Sequence, residues 1–74
     1  MTAISFIMTV MKNDPYVTID IMRDGKYIWR GEYENNRLKK ESDNTMPDSF
    51  NYLKVKSARA AGGWGQMSYN VELY

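Results

Sequence analysis

Apolar and polar positions divide the chain into stretches bounded by turn formers. The first, Met1-Thr-Ala-Ile-Ser-Phe-Ile-Met-Thr-Val-Met11, is almost wholly apolar and stops at Lys12-Asn13-Asp14-Pro15. Residues 16–23 and 26–34 follow, rich in β-branched and aromatic side chains. Runs of this length and composition read as strands, so residues 3–11, 16–23 and 26–34 are expected to be the first three. Asp24-Gly25 joins the second and third, and this dipeptide suits a two-residue hairpin whose type I′ turn needs positive φ at both positions. Asn35-Asn36 marks a further turn. Residues 37–47 carry a charge cluster and then turn formers, and read as a loop with room for a short edge strand.

A helix is expected from Pro47-Asp48, with Thr45 or Asp48 as its cap, to Gly62-Gly63. At 100° per residue Phe50, Leu53, Ser57, Ala60 and Ala61 share one stripe, with Tyr52, Val55, Lys56 and Arg59 on the other side. Residues 64–74 alternate as a last strand, with Met67, Tyr69, Val71 and Leu73 inward and Gln66, Ser68, Asn70 and Glu72 outward.

The turns fix an expected register. A two-residue loop places Arg23 opposite Lys26, hence Ile21 opposite Ile28 and Ile19 opposite Arg30. A four-residue loop at 12–15 places Met8 opposite Ile19 and Phe6 opposite Ile21. One face then reads Ile4, Phe6, Met8, Val10, Val17, Ile19, Ile21 and Ile28, the expected core. The reverse face carries Tyr16, Tyr27, Trp29 and Tyr33 among Thr18, Asp20, Met22 and Gly31, with Ile7 and Met11 from the first strand. The expected architecture is a single α+β domain over residues 1–74: a mainly antiparallel sheet in β-β-β-α-β order with one α-helix packed on one face.

Composition narrows the chemistry. The 74 residues include no cysteine and no histidine, ten basic and nine acidic side chains, and a net charge of +1. No disulfide framework, thiolate or imidazole metal site, or histidine-based triad can be built from them. The apolar opening has no basic region ahead of it and is about half the roughly twenty residues a bilayer-crossing helix needs. The expectation is a cytoplasmic protein, in the host cytoplasm if phage-encoded, with no membrane, metal or cofactor.

Catalytic candidates are thin. Glu32 and Glu34 lie two apart on a strand, where a solvated strand end is the simpler reading than an acid/base pair. Lys54 and Ser57 stand one helical turn apart, but lysine activation requires burial that a surface helix seldom gives. Gly62-Gly63-Trp64-Gly65 follows the expected helix instead of opening one, the wrong polarity for a phosphate.

Nucleic-acid binding is the alternative reading, because exposed aromatics on a β-platform stack bases. Arg37, Lys39, Lys40, Lys54, Lys56 and Arg59 supply cations between residues 37 and 59. A three-stranded sheet followed by a helix resembles the small DNA-binding domains of phage integrases. Trp29-Arg-Gly-Glu-Tyr33 resembles their Trp-x-Gly-x-Phe segment. The long loop after it departs from that pattern, and the chain is not assigned to that family.

A non-enzymatic protein-binding domain fits best. Tyr16, Tyr27, Trp29 and Tyr33 are residue types enriched at interface centres, and Arg30 and Arg23 stand beside them as rim anchors. Tyr52 and Arg59 offer a second surface on the helix. Compact cysteine-free chains without catalytic machinery are typical of the inhibitors, antitoxins and anti-defence factors of phages and other mobile elements. The expected partner is a larger bacterial protein or protein complex, blocked sterically, with homodimer formation a second use of the same surface.

Overall fold

A computed structural model describes residues 1–63 and 65–74. Its order is α1 (Ala3–Asn13), β1 (Tyr16–Arg23), β2 (Lys26–Glu34), β3 (Arg37–Glu41), a 3-10 turn (Asp48–Tyr52), β4 (Val55–Gly63) and β5 (Gln66–Leu73). The α+β class holds, with one helix on one face of a sheet. The expected β-β-β-α-β order does not: the helix comes first, and the later segment read as helical is a strand. The five strands lie in the order β3-β2-β1-β5-β4, antiparallel except for the parallel β1–β5 pair, so the sheet is mixed.

Residues 3–11 form a helix because tertiary placement satisfies its 3.6-residue period. Ala3, Ile7 and Val10, at i, i+4 and i+7, are its buried side chains. Thr2 caps it, with Oγ1 accepting from the Ser5 backbone N–H at 3.3 Å. The Asp14 N–H closes its last turn on the Val10 carbonyl at 2.9 Å, and Pro15 stops it. The expected four-residue hairpin at 12–15 is therefore the exit of a helix.

β1 and β2 stand where the sequence places them. Asp24 and Gly25 both have positive φ, 54° and 72°, and so do Asn35 and Asn36, at 51° and 67°. Both links are hairpin turns of the expected hand, and β3 is the short edge strand. Arg23 pairs with Lys26 as expected, but the register slips one residue further on. Ile28 bulges out, so Trp29 faces Ile21, Arg30 faces Asp20 and Gly31 faces Ile19. That slip turns Trp29, Gly31 and Tyr33 onto the covered face, reversing their expected side.

Residues 42–54 cross the same face as α1 and deliver the chain to the far edge, where β4 and β5 form an antiparallel pair. The expected helix over residues 48–61 is thus a short 3-10 turn followed by a strand, and the expected cap glycines Gly62 and Gly63 are strand residues. Trp64 lies outside the described residues. β5 alternates as read, with Val71 and Leu73 buried. The core comprises Ala3, Ile7 and Val10 of α1, Val17, Ile19 and Ile21 of β1, Trp29, Met46, Val71 and Leu73. Phe6 and Tyr69 join it edge to face at 5.4 Å.

Candidate binding face

α1 and the 42–54 crossing cover one face of the sheet and leave the other open. Alternation brings Tyr16, Thr18, Asp20 and Met22 of β1 to the open face, with Tyr27, Arg30, Glu32 and Glu34 of β2 beside them. Ser68, Asn70 and Glu72 of β5 and Ser57, Arg59 and Ala61 of β4 complete it.

Its centre is an ion pair. Arg30 grips the Asp20 carboxylate with two prongs, Nε to Oδ1 at 2.6 Å and Nη2 to Oδ2 at 3.2 Å. Asp20 is the one buried charged residue among those described. The hydrogen bonds that Arg30 donates to Asp20, then the negative charge of Asp20, raise the Arg30 pKa above its ordinary value. Two prongs fix the guanidinium plane. An unbroken register from the Asp24-Gly25 turn would put Trp29 opposite Asp20; the bulge at Ile28 instead gives Asp20 a cation.

Of the residues expected to form the site, Tyr16, Tyr27, Arg30 and Arg59 stand on the open face. Tyr16 is opposite Glu34 and Tyr27 is opposite Met22, at opposite ends of the β1–β2 ladder. Six residues along a strand separate them by roughly 20 Å, so no continuous aromatic platform exists. Trp29 is 3% exposed. Its indole N–H donates to Glu41 Oε2 at 3.0 Å, and its ring meets Tyr33 edge to face at 6.5 Å. Burial, helped by the Glu41 charge, pushes the Tyr33 hydroxyl pKa up to about 12. Both are core residues, which corrects their expected role as anchors. Tyr52 is exposed on the 3-10 turn, and Arg59 lies on β4, so they share no helix surface. Arg23 acts in the fold: its Nε donates to the Tyr74 carbonyl at 2.8 Å, and its guanidinium lies 5.4 Å from the Phe50 ring centre.

The catalytic candidates gain no support from this geometry. Lys54 lies just before β4 in an isolated bridge to Thr2, and Ser57 lies on β4 beyond a bulge at Lys56, so the two do not share one helical turn. Glu34 is held by Lys39 at 3.5 Å. The cleft that contains Glu32 and Glu34 measures about 140 Å³, below the roughly 300 Å³ at which ligand pockets begin. Among the described residues no group of three acidic side chains could hold a metal ion, and no helix is long and apolar enough to cross a membrane.

Sequence reasoning missed Glu41, the acceptor for Trp29, and the cation over Asp20. Neither pair has a local signal, since each spans ten or more residues of chain. No family model, curated protein sequence or solved structure matches this chain.

Proposed function

We propose that this chain is a non-catalytic protein-binding domain that acts by occupying a partner's surface with the open face of its sheet. One observation carries the reading: a five-stranded sheet is covered on one side only, and its free side presents a fixed Asp20–Arg30 pair flanked by Tyr16, Met22 and Tyr27. Tyrosine, methionine and arginine are enriched at interfaces. Prearranged side chains also lower the ordering cost of association. The finer form of the proposal is steric inhibition of a larger bacterial protein or complex, of the anti-defence or antitoxin kind. Nucleic-acid binding ranks second, because the cations that form one cluster in sequence lie on opposite edges of the sheet, Arg37, Lys39 and Lys40 on β3 and Lys56 and Arg59 on β4.

The test is capture of the partner by a chain tagged at its C-terminus. The Tyr16→Ala/Tyr27→Ala double variant should lose at least about tenfold in capture, as for truncated interface anchors, while melting like the parent. Tyr52→Ala should capture normally. If Tyr52→Ala loses the partner and the sheet variant does not, the working surface is on the helix side and this reading fails.

A further inference from the structure

The two edges of the sheet are protected very differently. β3 is five residues long, carries Arg37, Lys39 and Lys40, and bulges at Lys39. A short, charged, irregular edge resists pairing. β4 is nine residues long, and from Lys56 to Gly62 every residue is exposed. Most of these side chains are small: Ser57, Ala58, Ala60, Ala61 and Gly62. Their inner neighbour is β5. On the outer side no named strand pairs with them among the described residues.

That outer edge already accepts extended backbone at one end. Thr2 bridges Lys54 in antiparallel fashion, the Val55 N–H donates to the Met1 carbonyl at 2.8 Å, and the Ala3 N–H donates to the Leu53 carbonyl at 2.8 Å. The Lys54 carbonyl accepts from Tyr74 on the inner side, so the alternation assigns Leu53 and Val55 to the outer edge. Met1 and Thr2 thus pair with this edge as one isolated antiparallel bridge, which the start of α1 at Ala3 cuts short.

The side chains of β4 state what would continue it. On the covered side, Ala58, Ala60 and Gly62 form a low shelf beside Val71, Tyr69 and Met67 of β5, and Tyr69 and Met67 remain partly exposed. A strand laid outside β4 could extend large apolar side chains across that shelf. On the open side Arg59 faces Asn70. Among the described residues neither Lys56 nor Arg59 has an ion-pair partner. No acid lies on β4, so a second β4 would bring only like charges.

We infer that the outer edge of β4, from Ser57 to Gly62, is a strand-addition site for an extended segment of a partner protein, antiparallel to β4, with large apolar side chains toward the α1 side and a carboxylate opposite Arg59. Main-chain hydrogen bonds supply affinity in such a mode, and alternate side chains supply selectivity. The site lies three strands from Tyr27. It goes beyond the proposed sheet-face interface and stands or falls without it.

The test uses peptides with the sequence of β5, Gln66–Leu73, which has the required alternation. One carries Asn70→Glu and the other Asn70→Lys. Titrated into the labelled full chain, the acidic peptide should shift the backbone amide resonances of residues 57–62 and slow their hydrogen exchange. Arg59→Glu should weaken the acidic peptide about fivefold and strengthen the basic one, reversing their order. Ala60→Lys, an inward charge on an exposed strand, should abolish both at unchanged melting temperature. Shifts confined to other strands, no binding of either peptide, or unchanged peptide order in Arg59→Glu would overturn the inference. So would a chain that sediments as a dimer with residues 57–62 already protected, since the occupant would then be a second copy.

Discussion

Trp29 lies over Gly31, where an added Cβ would run into the indole ring, and is tied by its N–H to Glu41. Truncating it opens a cavity and leaves a carboxylate oxygen without its donor. Trp29→Ala should cost about 3–5 kcal/mol, similar to Ile19→Ala at about 2–5 kcal/mol. Domains of this size rarely have more than about 3–5 kcal/mol in total, so chemical denaturation should find Trp29→Ala largely unfolded, whereas Tyr27→Ala melts normally. Tyr33 beside it makes a pH signature. Its hydroxyl titrates near 10 when unfolded and at about 12 when folded. Below pH 10 it is protonated in both states and contributes nothing to the pH dependence. Between 10 and 12 the unfolded chain gives up this proton and the folded chain keeps it, so stability falls as pH rises. Thermal melts across that window should therefore fall more steeply for the parent than for Tyr33→Phe; parallel curves would remove the buried-phenol account.

At the scale of elements, two segments adopt structures opposite to their expected ones. Residues 3–11 contain enough β-branched side chains to suit a strand, yet Thr2 and the Ala3-Ile7-Val10 stripe make them a helix. Thr2→Ala removes both the cap on Ser5 and the hydroxyl link to the Ser5 side chain at 3.0 Å. It should cost about 0.5–2 kcal/mol by denaturant titration, with Thr2→Ser close to the parent. Residues 55–63 err the other way. Their alanines, lysine and arginine favour a helix locally by tenths of a kcal/mol per residue, and pairing along the whole of β5 outweighs that preference. What could be read locally was the two hairpin turns, because Asp24-Gly25 and Asn35-Asn36 each meet a positive-φ requirement within two residues. The bulge at Ile28 has no such signature, and it alone decides that Trp29 is core and Arg30 is free to clamp Asp20.

Over the whole molecule, the β3-β2-β1-β5-β4 order places the two cation-bearing edges four strand spacings apart, roughly 19 Å. A phosphate backbone cannot follow both edges as one stripe without crossing Glu32, Glu34 and Glu72 on the open face. Affinity for duplex or single-stranded DNA should therefore be weak, with a shallow dependence on salt, because few counterions are released per complex. A titration showing sub-micromolar affinity and a steep log–log salt slope would replace protein binding with the nucleic-acid reading.

Local chemistry alone determined β1 and β2 with their turn, the turn at Asn35-Asn36 and the inward and outward sides of β5, since each depends on neighbours within a few residues. It also placed Tyr16, Tyr27 and Arg30 on strands and ruled out thiolate and imidazole chemistry. Tertiary structure decided the rest. It chose helix for residues 3–11 and strand for 55–63, because the free energy of packing a face or completing a ladder exceeds the small local preferences of either segment. It also set the slip at Ile28, which buries Trp29 under α1 and pairs Asp20 with Arg30, a choice made by contacts ten or more residues apart that no local pattern encodes.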